Sequence, residues 1–200
     1  MEITREDMKF ADRMGYTIKL LAICKEVGGR IEARVHPTLL PKSHPLSSVQ
    51  DTFNAVFVKG GRLGEVMLYG RGAGRFPTAC AILGDISEIV RNIRFNCNGR
   101  LTQVYDRVKG IVSIDDVETR FFTRMLLADK PGVLAAVAKV FGKYMVSLEM
   151  VSQMDLVEGD AELVFVTHLV REGDMRKALE EIGQLEVTKK IITVLRVEGA

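Results

Sequence analysis

The chain has 200 residues, 47% of them hydrophobic and 27% charged, enough apolar material for a true core in one or two domains. Its 28 Lys+Arg against 26 Asp+Glu leave a net charge of +2 with no concentrated basic face, which excludes nucleic-acid and membrane-surface binding from the expected functions. No apolar run nears the roughly 20 residues that span a bilayer, and the polar start "MEITREDMKF" is no signal peptide; the expected location is the cytoplasm.

In chain order, "ITREDMKFADRM" places Ile3, Met8, Phe10, Ala11 and Met14 at helical spacing, Thr4 and Asp7 make a capping-box pair, and Gly15 ends the helix. "YTIKLLAICKEV" and "RIEARVHPTLL" are β-rich runs joined at Gly28-Gly29 as a hairpin. Pro37 and Pro41 are expected to stop the pairing, because proline has no N–H for a ladder. "HPLSSV" predicts a helical turn, and "NAVFVKGGRLGEVMLYG" a second hairpin turning at Gly60-Gly61. After Thr78, the stripe Ala81, Ile82, Ile86, Ile89, Val90 and Ile93 predicts an amphipathic helix over "TACAILGDISEIVRNI". Residues 96–119 are polar and weakly periodic, which reads as a linker between a first domain, 1–95, and a second, 120–200.

The second half is more regular. "TRFFTRMLLA" is a strand, "PGVLAAVAKVFGKYM" a helix, "VSLEMVSQM" and "AELVFVTHLV" strands, "DMRKALEEIG" a helix and "KKIITVLRVE" a last strand. That is βαββαβ, the order of a ferredoxin-like sandwich. The expected class is α+β, a mixed or antiparallel sheet with helices followed by this ferredoxin-like domain.

Chemistry-bearing residues are sparse. Cys24, Cys80 and Cys97 are odd in number and form no CxxC pair, which argues against a disulfide scaffold or zinc site; each reads as a small buried apolar residue. His36 and His44 both precede proline and lack a second short-spaced pair, so structural hydrogen bonds are expected of them and no metal; His168 reads as a strand-face or interface residue. No catalytic constellation assembles from short-range motifs.

Two glycine turns remain. "LYGRGAGRFPTACAIL" has a strand before it and a helix after it, as a phosphate loop requires. Its spacing is G-x-G-x-G rather than G-x-G-x-x-G, and no further βα unit with an acidic strand end follows. It reads equally as a turn that packs a helix tightly against a sheet or as a binding loop. In "LLADKPGVLAAVAKVF" a strand ends at Ala128, and Asp129-Lys130-Pro131-Gly132 turns into a helix. Free amides near Gly132, Val133 and Leu134 are suited to a small carboxylate, and an ordinary strand-to-helix turn is as good a reading.

The blocks "ADRMGYTIKLLAICK", "GRIEARVHPTLLPKSHPLSSV", "FNAVFV" and "GEVMLYGRGAGRFPTACAILGDI" resemble consecutive segments of bacterial and archaeal homoserine dehydrogenases, over about residues 3–94. From about 120 to 198 the chain resembles an ACT domain, with "DKPGVLAAVAKVF" as its turn and helix. In that family an N-terminal NAD(P)-binding domain carries the true G-x-G-x-x-G, and a segment resembling D-x-x-G-x-D-x-x-x-K supplies the catalytic lysine. Neither pattern is present, so the chain reads as the family's C-terminal part, beginning downstream of both. Lys19 has Gly15 where the motif needs aspartate, which makes it a strand lysine.

The resemblance implies a parent reaction, the NAD(P)-linked interconversion of L-aspartate 4-semialdehyde and L-homoserine, with no catalytic residue in this stretch and no tight cofactor binding by it alone. It implies that Gly72, Ala73 and Gly74 flank the nicotinamide side of the cofactor in the full-length protein, Gly74 foremost, and that the helix after Thr78 packs on the N-terminal domain. It implies a homo-oligomer, dimer or tetramer. Asp129, Gly132, Val133 and Leu134, with Ser152, would contact an amino-acid effector, threonine, at an ACT–ACT interface. The alternative is a stand-alone ACT-containing amino-acid-binding regulator without catalysis.

Overall fold

The structure is a computed structural model that describes residues 3–97, 109–157 and 159–199. It divides into two compact units: residues 1–42 with 109–200, and residues 43–108. These boundaries differ from those read in the sequence at 95/96 and 119/120, because Phe10, Ala11 and Leu39 pack in one cluster with strands of the second half.

In the first unit, helix α1 (Arg5–Arg13) starts with a reciprocal capping box. The Asp7 N–H donates to the Thr4 hydroxyl at 3.2 Å, and the Thr4 N–H donates to the Asp7 carboxylate at 2.8 Å. Strands β1 (Tyr16–Val27) and β2 (Arg30–Pro41) form the expected hairpin, with Gly28 and Gly29 both at positive φ. Pro37 does not stop it: the ladder runs on through Leu20–Pro37 to Tyr16–Pro41. The other edge of β2 pairs with β9 at Thr38 and Leu39 and bridges to Ile111 at Ile31, and the stretch between is open, so Pro37 occupies an edge position, where a missing donor costs little.

The βαββαβ half forms as read. Its elements are β5 (Glu118–Ala128), α3 (Val133–Lys143), β6 (Leu148–Val157), β7 (Asp160–Thr167), α4 (Glu172–Gly183) and β9 (Thr188–Val197). A two-residue strand β8 (Val170–Arg171), not foreseen, pairs with the start of β5. The sheet order is β1-β2-β9-β5-β7-β6. Its last four strands are antiparallel neighbours in ferredoxin-like order, and the hairpin joins them through a short parallel pairing of β2 with β9.

Period-two alternation sends adjacent residues to opposite faces. Phe121, Met125, Leu127 and Phe165 pack under α3 and α4 with Val137, Phe141, Met175 and Ile182. Phe122, Val164, Val166 and Leu195 face the other way, onto Phe10 and Ala11 of α1 and Leu39 of β2. The sheet is therefore covered on both sides. Of the expected linker, 98–108 lies outside the described residues. The rest is less loose than its composition suggests: Val112 and Val117 are buried, and Val112 N–H donates to Ile31 C=O at 2.8 Å.

The second unit holds a 3-10 turn over Pro45–Ser48, the hairpin β3 (Phe53–Gly60) and β4 (Gly64–Arg71), and α2 (Arg75–Arg94). Phe53 and Tyr69 stack 4.8 Å apart across the hairpin, with the Arg71 guanidinium 4.9 Å from the Phe53 ring. α2 begins three residues before Thr78, at the left-handed Gly74 (φ 116°), and buries none of its side chains. Ile82, Ile86, Ile89, Val90 and Ile93 are each at least half exposed. Burial of the cysteines does not hold either. Cys24 and Cys80 are exposed and Cys97 is half-buried, since α2 covers nothing and Cys24 sits toward the turn end of the hairpin. His168 lies just beyond β7 and is exposed. Among the described residues no helix is long and apolar enough to cross a membrane, and no group of three or more His, Cys, Asp or Glu is placed to hold a metal.

Candidate functional site

The turn after β5 is built almost entirely from backbone. Ala128 N–H donates to Val187 C=O at 2.9 Å, Lys130 N–H to Ala128 C=O at 3.0 Å, and Val133 N–H to Lys130 C=O at 3.3 Å. Gly132 caps α3 at φ 89°, ψ −11°. A Cβ there would meet nothing within 4 Å, so the backbone angle, not space, calls for glycine. α3 has no side-chain cap and no acidic residue in its first turn, which leaves the positive end of its dipole uncompensated.

The turn brings Asp129, Gly132, Val133 and Leu134 together. Asp129, Gly132 and Leu134 are exposed, while the Val133 side chain is a core anchor and its amide is already engaged. Ser152 does not join them. It pairs with Val164, which pairs with Arg124, so it lies two strands from β5 and level with a residue four positions before the end of β5. At ordinary strand spacings that is about 16 Å from the end of β5.

In the loop between β4 and α2, Gly72 N–H donates to Thr52 C=O at 3.3 Å, and a Cβ at Gly72 would run into the Asn54 side-chain amide. Gly74 needs its positive φ, and α2 starts with no side-chain cap and no acid in its first turn. Gly72, Ala73 and Gly74 thus present bare, exposed backbone at an open helix N-terminus. The phosphate-cradling spacing is not in the sequence. The glycines do not serve tight packing of α2, which buries nothing.

A third arrangement escaped sequence reading. The inward face of β2 carries Glu32, Arg34, His36 and Thr38, all buried. Their i, i+2 spacing was the available signal, though polar residues at that spacing ordinarily mark a solvated face. Arg34 pairs with Glu198, which also takes Lys25 at 2.7 Å, and lies 3.2 Å from Glu32. Arg196 forms two hydrogen bonds to Glu172. The His36 Nδ1 is 3.0 Å from the Thr38 hydroxyl and 3.2 Å from the Pro37 carbonyl.

Burial, followed by the Arg196 and Arg34 charges, holds the His36 imidazole below its ordinary range; the Pro37 carbonyl and Glu172 offset this only in part. A histidine whose folded pKa is depressed binds fewer protons folded than unfolded. Its stabilising effect is complete above about pH 6.5 and is lost as pH falls below that. His36→Gln is expected to flatten the decline in melting temperature between pH 7.5 and 5; an unchanged slope would exclude His36 as its source. His44 is the structural histidine expected: its Nδ1 accepts from Leu46 N–H at 3.2 Å, capping the 3-10 turn.

Comparison with known proteins places these features in context. The sequence model of the family described as homoserine dehydrogenase matches residues 1–87, and that of the ACT domain matches residues 121–187. The homoserine dehydrogenase of Synechocystis is 45% identical over 98% of this chain and 47% of its own length. That of Bacillus subtilis is 38% identical over 99% and 46%. A solved homoserine dehydrogenase structure from Thiobacillus denitrificans superposes with a TM-score of 0.87 at 30% identity, over 98% of this chain and 46% of that one. The chain spans about half the length of the curated relatives it matches. With two family models in sequence along one chain and a solved relative sharing its fold, the chain belongs to the homoserine dehydrogenase family, as the C-terminal part of its dehydrogenase region joined to an ACT domain.

Proposed function

We propose that this chain is the oligomerising and effector-sensing part of a homoserine dehydrogenase that interconverts L-aspartate 4-semialdehyde and L-homoserine with NAD(P) in the cytoplasm. The observation that carries the proposal is the similarity to one such enzyme along nearly the whole chain, 45% identity over 98% of it. In this reading Gly72, Ala73 and Gly74 lie against the nicotinamide side of the cofactor, and the α2 stripe seats on the nucleotide-binding part of the enzyme. A second copy covers the exposed apolar face of the first hairpin, where the pairs Leu20–Pro37 and Ala22–Val35 leave Leu20 and Val35 more than two-thirds exposed.

The ACT turn takes the effector, threonine, with Asp129, Gly132, Val133 and Leu134 from one chain and Ser152 from its neighbour. The separation of about 16 Å between Ser152 and the turn within one chain favours a site built by two. Threonine at about 100 times its Kd should stabilise the protein by about 2.7 kcal/mol, a shift of several degrees in melting temperature. Titration calorimetry alongside thermal melts, with methionine, isoleucine and serine as comparisons, tests this. No heat and no shift with any of the four would overturn the sensing role, and light scattering showing a monomer at micromolar concentration would overturn the oligomer.

A further inference from the structure

Residues 4–42 match the dehydrogenase model, yet they fold in the same compact unit as the ACT strands. Beside the β2–β9 pairing and the Arg34 and Lys25 pairs with Glu198, one fully buried side chain fastens α1 there. Asp7, fully buried in α1, accepts from the Thr4 N–H at 2.8 Å and the Thr4 hydroxyl at 2.7 Å on one oxygen. Its other oxygen accepts from the Thr193 hydroxyl at 2.6 Å and from the Arg124 guanidinium. Arg124, 1% exposed on β5, turns its Nε to Glu162 of β7 at 2.7 Å, and its guanidinium lies 4.3 Å from the centre of the Phe10 ring of α1. Asp7 is thereby tied to β9, β5 and β7, three consecutive strands of the sheet.

An apolar contact would hold α1 nearly as well in several positions. A buried ion pair with every carboxylate oxygen bonded holds it in one, since any slip leaves a charge unpaired in a dry interior. We propose that Asp7 is a coupling residue: it locks α1 to the central ACT strands so that the dehydrogenase-family segment and the ACT sheet move and open as one body. Motion of the ACT sheet then reaches α1 without passing through 43–108.

Hydrogen exchange on the whole chain distinguishes this from a helix that merely rests on the sheet. In the wild type, amides of α1 and of β5 should exchange through the same opening, with matching protection and matching response to urea. Thr4→Ala, which removes the Thr4 hydroxyl but leaves the Asp7 bonds to the Thr4 N–H, Arg124 and Thr193 in place, should speed exchange in α1 by about fivefold and leave β5 unchanged. Asp7→Asn should speed exchange in α1, β5 and β7 together by about a hundred- to a thousandfold. Protection of α1 far below that of β5 in the wild type overturns the proposal without any variant. So does an Asp7→Asn effect confined to α1.

Discussion

Arg124→Met is expected to cost the first unit about 3–5 kcal/mol, because it removes the only cation in contact with two buried carboxylates among the described residues, Asp7 and Glu162. Against a total stability of about 5–15 kcal/mol, that is a third or more of the whole. The loss is the penalty of stranding charge, not the worth of the pair. Asp7→Leu/Arg124→Met/Glu162→Leu, which replaces the cluster by apolar volume, should therefore recover most of it. The triple variant should stay short of the wild type by about 1 kcal/mol, since Asp7 also closes the capping box of α1. Urea titration followed by circular dichroism reads both, the midpoint moving at a constant slope. A single variant within 1 kcal/mol of the wild type would show that the cluster is solvated in the folded protein.

The second large effect concerns α2. A helix stabilised by no tertiary burial is marginal in water even with good helix formers, and α2 holds Gly84 and five Ile or Val between positions 82 and 93. In dilute solution its amides should exchange within about tenfold of an unstructured peptide. Those of β5 and β7 should be protected by about a thousandfold or more. The exposed stripe should bind an apolar dye, and Ile86→Lys with Val90→Glu should abolish the dye signal without moving the melting transition of the first unit. Strong, concentration-independent protection of α2 would mean that it is covered within its own chain. The reading of its stripe as a seat for the nucleotide-binding part would then fall.

The sequence exposes those parts of this fold whose physics is local. The βαββαβ order follows from runs such as "ELVFVT" and "GVLAAVAKVF", whose periods differ, and the two hairpins follow from paired glycines. What stayed hidden depends on distant partners. Thr4 and Asp7 announce a capping box, but nothing near them announces Arg124, 117 residues on. Glu32, Arg34 and His36 alternate as a solvated face would, and nothing near them announces that Arg34 meets Glu198 at the far end of the chain. Pro37 reads as a stop until the unpaired edge beside it is seen. The candidate site shows the same division. Residues 129–134 are contiguous and legible as a turn, and Gly72–Gly74 as a helix start. The placement of Ser152 across two strands is a property of sheet order, which periodicity does not encode.

The parallel seam between β2 and β9 rests on two residue pairs, Thr38–Arg196 and Leu39–Val197, and on the bond from Glu198 N–H to Leu39 C=O. Each side of it matures from nearby chain: the hairpin closes over two glycines in microseconds, and the ferredoxin-like half assembles from its own elements. The seam must wait for ends some 158 residues apart to meet, as must the Asp7 contacts to Arg124 and Thr193. Until it closes, β9 is an edge strand, and α1 with its hairpin is a detached arm carrying half of a buried ion pair. At high concentration a neighbouring chain can offer its own arm first, and the two would exchange them. Refolding yield should therefore fall with protein concentration for a reason of topology, with arm-exchanged dimers as the by-product.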